Sequence, residues 1–230
     1  MIFQPTTAQQ AVLLRKEHEN SVYLAGGTDD LRLGSEAQGK DLIDLSTLGL
    51  DTITEKNEKI YIGACCTLQQ LIDCSLIPDF IKQAAGFCAS YVRRCSATVG
   101  GNLGLRRQDS YLAAAFTAAD AVLLCATPHG DREKAIGEYL QSDCRCLICT
   151  VVIAKNRKGT VQRFGNTSSS HAAVIAAESE GIFALSVSGS KFAYANHADL
   201  ADSMTFADDL TGSAAYKKYL AGIAFTPRRD

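Results

Sequence analysis

Two short runs constrain this chain more than anything else in it: "LAGGTDDL" at 24–31 and "CSATVGGNLG" at 95–104. Glycine loses more conformational freedom on folding than any other residue, so adjacent glycines belong where the chain turns sharply or where another group meets the backbone. The second run holds three glycines and no charged side chain, and it stands just ahead of Arg106 and Arg107. Amides exposed at a glycine turn donate to phosphate oxygens without a cationic side chain. The hydroxyls of Thr28 and Thr98 add donors. Two such loops on opposite sides of a pyrophosphate would neutralise it by dipoles rather than by lysines. Neither run fits the dinucleotide-binding or Walker spacing, and a pair of tight turns accounts for the glycines equally well.

Composition removes several alternatives. The 230 residues are 47% hydrophobic and 21% charged, enough for a sizeable core. A net charge of −2 with no basic block argues against nucleic acid or an anionic membrane surface as a partner. No apolar run reaches the roughly 18 residues of a membrane helix; the Ala-rich 112–126 is interrupted by Asp120. The N-terminus does not read as a signal peptide. Nine cysteines, an odd number, then read as reduced thiols in a cytoplasmic protein.

The periodicities order the elements. An amphipathic helix over 6–18, a strand over 21–27 and a strand over 41–48 make a small α/β unit within residues 1–55. Residues 51–66 read as a hairpin turning at Asn57. Thr67 opens a helix over 67–77, and Pro78–Asp79 opens another over 78–92. After the glycine run, 109–126 begins as a helix capped by Asp109 or Ser110 and ends as the strand "AVLLCA". Then come the strand "CLICTVVIA" (146–154), the turn "NRKG", alternating strands and turns, and a closing helix over 212–225.

With its two motifs in this order, the chain resembles the flavin-binding medium subunits of the molybdenum hydroxylases, such as those of xanthine dehydrogenase and carbon monoxide dehydrogenase. "LIDLSTL" and "IYIGACCTLQQLI" lie between the motifs as in that family, and "DLTGSAAYKKYLAGIA" is similar to its C-terminal helix. The resemblance implies an α/β (α+β) fold. A two-part FAD-binding domain of the PCMH type would occupy 1–155, split into 1–55 and 56–155. A C-terminal domain of antiparallel sheet and helix would occupy 156–230. The resemblance also implies that FAD is cradled by Tyr23, Leu24, Ala25, Gly26, Gly27, Thr28, Asp29 and Asp30 and by Thr98, Val99, Gly100, Gly101 and Asn102. Ile148 falls at the family's apolar contact to the flavin, and Arg163 near the family's lysine. Two positions depart from the pattern. Tyr111 stands where the family has an aspartate reaching the adenosine part of FAD, with Asp109 two residues earlier. Asn166 stands where the family has an arginine.

The implied function is electron relay from an iron–sulfur subunit to FAD and on to NAD or another acceptor, with a molybdenum-cofactor subunit oxidising the substrate. No side chain of this chain need act as acid or base, so no catalytic residue is assigned. A stand-alone flavin oxidase of the same fold is an alternative. Such enzymes often tether flavin through His or Cys in the first glycine motif, and "LAGGTDDL" has neither. An assembly subunit without FAD is the other alternative, motivated by Tyr111. "CRCLIC" places Cys144, Cys146 and Cys149 close together, but no fourth ligand is evident, so no metal is expected there.

Overall fold

The small N-terminal unit shows why the first motif ends where it does. In the computed structural model, which describes residues 1–226 apart from 36, 89, 145, 168 and 169, β1 (Ile2–Phe3) leads into α1 (Ala8–Glu17). The chain returns through β2 (Ser21–Leu24) and β3 (Asp41–Asp44). These strands form a parallel sheet in the order β1-β3-β2. Thr7 caps α1 by accepting from the Gln10 amide at 3.1 Å. Ala11 and Val12 of that helix pack against Ile43 and Leu45 below and against Ala126 and Leu147 of the neighbouring sheet. β2 then runs straight into the first glycine pair.

The second sheet begins with β4 (Ile53–Lys56) and β5 (Lys59–Gly63). Their two-residue turn uses Asn57 and Glu58, both left-handed at φ 52° and 57°, as hairpin twist requires. Five helices follow: α2 (Leu68–Asp73), α3 (Asp79–Gly86), α4 (Tyr91–Arg94), α5 (Val99–Gly104) and α6 (Tyr111–Ala118). Thr67 and Gln70 make a reciprocal capping box on α2. The chain then adds β6 (Val122–Thr127), β7 (Gly130–Ala135), α7 (Ile136–Gln141) and β8 (Leu147–Ala154), giving an antiparallel sheet ordered β4-β5-β8-β6-β7.

A third antiparallel sheet is built from β9 (Thr160–Phe164), β10 (Val174–Ser179), β11 (Ile182–Val187) and β12 (Ala193–Ala195), in the order β12-β11-β10-β9. The helix α8 (Ala214–Ile223) packs on it. Every residue of α6 from Leu112 to Ala118 is buried, because the helix lies against β10 and β11 on one side and α3 on another. A helix apolar all round is one covered all round. Ser110, not Asp109, caps it, accepting from the Ala113 amide at 3.1 Å.

One expectation is corrected here, and one strand falls where no element was read from sequence. The run at 95–104 is not an extended loop or a pair of turns: its second half is helical. Thr98 caps α5 by accepting from the Gly101 amide at 3.2 Å, and fully buried Val99 and Leu103 anchor it. The charged run after Thr127 is a strand. β7 sits at the sheet edge, where its Asp131, Arg132, Glu133 and Lys134 oppose further pairing.

The two glycine motifs touch each other. A Cβ on Gly26 would stand 1.7 Å from the Ser96 carbonyl oxygen, so only glycine lets the first motif lie against the second. Gly27 has φ +64°, a left-handed conformation that disfavours side chains.

Far from these motifs, α8 carries a fully buried cation. Lys217 Nζ lies 2.7 Å from Asp209 Oδ2 and donates to the Ser188 and Ala207 carbonyls, each at 2.9 Å. Asp209 also accepts from Ser188 Oγ at 2.7 Å and from the Thr211 hydroxyl at 2.6 Å. Burial opposes ionisation of this carboxyl, but the hydrogen bonds from Lys217, Thr211 and Ser188 outweigh it and hold it well below the usual carboxylate range.

Asp209→Ala should cost about 3–5 kcal/mol in chemical denaturation, because it strands a buried ammonium. A depressed carboxyl stabilises fully above the unfolded-state value and less as pH falls. The gap between wild type and Asp209→Ala should therefore shrink below about pH 4; an unchanged gap through acid would contradict the assignment. Gly26→Ala should lose about 3 kcal/mol or more by forcing the motifs apart, and wild-type denaturation midpoints would disprove that contact.

Candidate functional site

Between the first motif, α5 and the starts of the second and third sheets lies a cleft of about 1680 Å³. Tyr23 and the segment 25–30 form one wall, and Thr98, Gly100, Gly101 and Asn102 form the floor. Asp109, Ile148 and Arg163 line the far side. The residues assigned from sequence are thus drawn to one cavity, with two exceptions. Leu24 stays in β2 opposite Asp44, and Val99 is fully buried in the core. Asn166 is exposed and does not line the cleft, whereas Tyr111 does, with its ring 6.0 Å from that of Phe87.

The two motifs do different work. In the first, the amides of Gly26, Gly27, Thr28, Asp29 and Asp30 donate to no acceptor among the described residues. The turn closes behind them, with the Leu31 amide on the Gly27 carbonyl at 3.0 Å. In the second, the amides are spent. Val99 donates to Cys66 O at 2.9 Å and Gly100 to Ala64 O at 2.7 Å. Gly101 donates to Thr98 Oγ1 at 3.2 Å and Asn102 to Thr98 O at 3.0 Å. The picture of two amide cradles facing one another therefore holds only for the first motif. Gly100 is bare because a Cβ there would come within 2.6 Å of Ala64 Cβ, a packing reason. A Cβ on Gly101 would meet only Thr98 Oγ1, at 2.8 Å, and otherwise point into open space. The floor offers side-chain donors instead. Asn102 Oδ1 accepts from Ser110 Oγ at 2.6 Å, which leaves its amide nitrogen as a donor.

Charge is supplied by side chains as well as dipoles. Arg15, Lys16, Arg93, Arg106, Arg107 and Arg163 line the cleft against the carboxylates Asp29, Asp30 and Asp109, an excess of positive charge. Arg93 reaches across to the Thr28 carbonyl at 3.3 Å, fixing the first motif from the side of α4. Arg94 beside it ties α4 to Gln69 Oε1 at 3.1 Å and to the Cys88 carbonyl. Arg107 forks onto Asp109 at 3.0 and 3.2 Å and lies 3.8 Å from Asp29. His171 Nδ1 approaches the same Asp109 at 3.6 Å. Burial would raise the Asp109 carboxyl, but the Arg107 hydrogen bonds win and hold it low. Asp30 goes the other way, raised by burial and by its neighbour Asp29. Burial pushes the Tyr23 phenol up to about 12.

Arg163 is held by its own loop. Its guanidinium donates to the carbonyls of Thr167, at 3.0 Å, and Ser170, while its Nε is buried without a partner. The five amides without acceptors and the positive excess fit a ligand with phosphate groups. The Arg93, Arg107 and His171 contacts could not be read from sequence, since each depends on side chains brought from distant segments. Among the described residues, no three His, Cys, Asp or Glu side chains are placed to hold a metal ion, and no helix is long and apolar enough to cross a membrane.

Comparison with known proteins identifies the ligand class. A sequence profile for the FAD binding domain in molybdopterin dehydrogenase matches residues 1–154. The Escherichia coli K12 protein YgfM is 29% identical over 242 residues, covering 96% of this chain and 92% of its own. Among solved structures, a Hydrogenophaga pseudoflava carbon monoxide dehydrogenase lacking the Mo-pyranopterin moiety superposes with a TM-score of 0.82 at 20% identity, over 96% of this chain and 92% of that one. Quinoline 2-oxidoreductase from Pseudomonas putida 86 gives 0.82 at 16%, with the same coverage. At such identities the structures establish a shared fold. The profile spans more than half the chain and covers both glycine motifs, so this chain belongs to the family of FAD-binding domains in molybdopterin dehydrogenases, and FAD is its cofactor.

Proposed function

We propose that this chain is the electron-relay flavoprotein of a molybdenum hydroxylase-like complex. It would take electrons from an iron–sulfur subunit and pass them to NAD or another acceptor, while a molybdenum-cofactor subunit oxidises the substrate. The observation that carries this reading is the division of labour in the cleft: open amides in the first motif, spent amides in the second, and positive charge around both. FAD, when bound, supplies the one- and two-electron chemistry.

The chain's own residues hold and orient the cofactor. The amides of 26–30 and the arginines 93 and 107 suit a pyrophosphate. Asn102 and Thr98 offer donors along the rest of the cleft, and Ile148 with Tyr23 gives apolar wall. Asp109 is neutralised by Arg107 and so serves to fix that arginine rather than to accept a proton. The first motif has neither His nor Cys, so attachment is non-covalent.

Purified protein should be yellow and should release its chromophore on acid denaturation; colour retained by denatured protein would contradict non-covalent binding. Gly101→Val places a branched side chain on the cleft floor while leaving the Gly100–Ala64 contact intact. It should weaken flavin binding at least tenfold with near wild-type circular dichroism, and unchanged affinity in a folded variant would remove that floor from the binding site. The isolated chain should pass electrons from NADH to an artificial dye at most. Oxidation of purines or other heterocycles should appear only with co-purified iron–sulfur and molybdenum subunits; oxidation by the isolated chain would overturn the relay.

A further inference from the structure

Three thiols meet at one end of the cleft. Cys125 lies on β6, opposite Ile148 of β8 in the antiparallel register. Cys146 precedes β8, two positions from Ile148, and so falls on the same face of the pair as Cys125. The Cys125 and Cys146 side chains are close enough to influence each other's ionisation, and Cys144 acts on Cys146 as well. Their exposures differ. Cys125 is buried, whereas Cys144 and Cys146 are half-buried and line the cleft.

A cation is fixed beside them. Arg106 has φ +48°, a left-handed backbone rarely adopted by an arginine. Its guanidinium lies 4.1 Å from the centre of the Tyr139 ring and donates to the carbonyls of Ser142 and Cys144. The segment leading into Cys146 is thus clamped by a permanent positive charge. A fixed guanidinium favours a thiolate beside it and disfavours a bound metal cation.

We propose that Cys146 is a reactive thiol which, with Cys125 as its resolving partner, forms a reversible disulfide in the cleft wall on exposure to a low-molecular-weight disulfide. A small oxidant suits Cys146, which is half-buried and lines the cleft, and an anionic one suits the positive charge around it. The Cys146 thiolate attacks one sulfur of the small disulfide. A mixed disulfide forms and one small thiolate leaves. The Cys125 sulfur then attacks Cys146, its proton passing to the second departing thiolate. Two protein thiols lose two electrons in all, and the small disulfide becomes two thiols. In support, contact with the Cys125 thiol, followed by contacts with Cys144 and the nearby Arg106, draws the Cys146 thiol down to about 6 against the opposing effect of burial.

The arrangement differs from that of the remaining cysteines. Burial pushes the Cys65 and Cys66 thiols up to about 11. Cys95 is exposed and makes a natural internal reference for unassisted reactivity.

The test is to treat the reduced, full-length chain with oxidised glutathione at neutral pH and follow each cysteine by peptide mass spectrometry. Cys146 should react at least tenfold faster than Cys95, and the product should be a Cys125–Cys146 cross-link carrying no glutathione. Cys125→Ala should stop at Cys146 bearing glutathione, with Cys144→Ser still forming the cross-link. Because position 125 is buried, circular dichroism of that variant should match wild type; should it misfold, the wild-type cross-link and the Cys144→Ser result decide alone. Cys146 reacting no faster than Cys95, a Cys144–Cys146 product, or stoichiometric iron or zinc lost on Cys146→Ser would each overturn the assignment.

Discussion

The contact of Gly26 with the Ser96 carbonyl is the constraint on which the rest of this structure depends. It is a backbone-to-backbone approach between two segments far apart in sequence, one ending a parallel strand and the other leading into α5. Nothing but hydrogen fits at that point, since an added carbon would sit 1.7 Å from an oxygen. The same logic repeats one layer further in, where Gly100 lies on Ala64. The small parallel sheet, α5 and the end of β5 are thereby stacked at backbone distance. The cleft is the space that this stacking leaves beside it, and its walls are rigid because side chains do not separate them.

That stacking also explains why the two motifs are chemically unequal. A strand that ends in a glycine turn has no ladder partner for its next amides, so those of 26–30 are left facing outward. The second motif enters a helix while pairing with the segment around Thr67, which consumes its amides. A helix start normally leaves its first amides open; here Cys66, Ala64 and the Thr98 hydroxyl take those of Val99, Gly100 and Gly101. Two stretches with the same glycine pair thus serve opposite ends, one presenting donors and the other removing bulk.

Much of the scaffold was legible because its signals are local. The Asn57 hairpin, the Thr67 cap and the apolar stretch of β8 each announce themselves within a few residues. The failures have local causes too. Glycine propensity argued against a helix at 99–104, yet the Thr98 cap and the buried anchors Val99 and Leu103 override it. The charges of β7 hid an edge strand, whose outward face requires them. The positions lining the cleft were found through motif resemblance rather than periodicity. Leu24 fell outside the wall because it stays in the β2 ladder, and Val99 because it is buried in the core. Of the cationic rim only Arg163 was named, through the resemblance, since Arg15, Arg93 and Arg107 join it only after folding.

The rim gives the departures from the family pattern a physical setting. Tyr111 occupies the place of an aspartate, and its ring lies beside Phe87 rather than presenting charge. Asp109 remains in the cleft, but its two oxygens are taken by the Arg107 fork. A carboxylate so engaged fixes the direction of a guanidinium, and a fixed guanidinium favours an anion more than a mobile one does, because less freedom is lost on binding. Arg107 is held at 3.8 Å from Asp29 as well, so the same residue joins the first glycine motif to the segment opening α6. The cleft therefore sets its charge through positioned arginines where a lone acidic side chain would otherwise act. On the proposed reading, an anionic cofactor would meet that rim together with the open amides of the first motif.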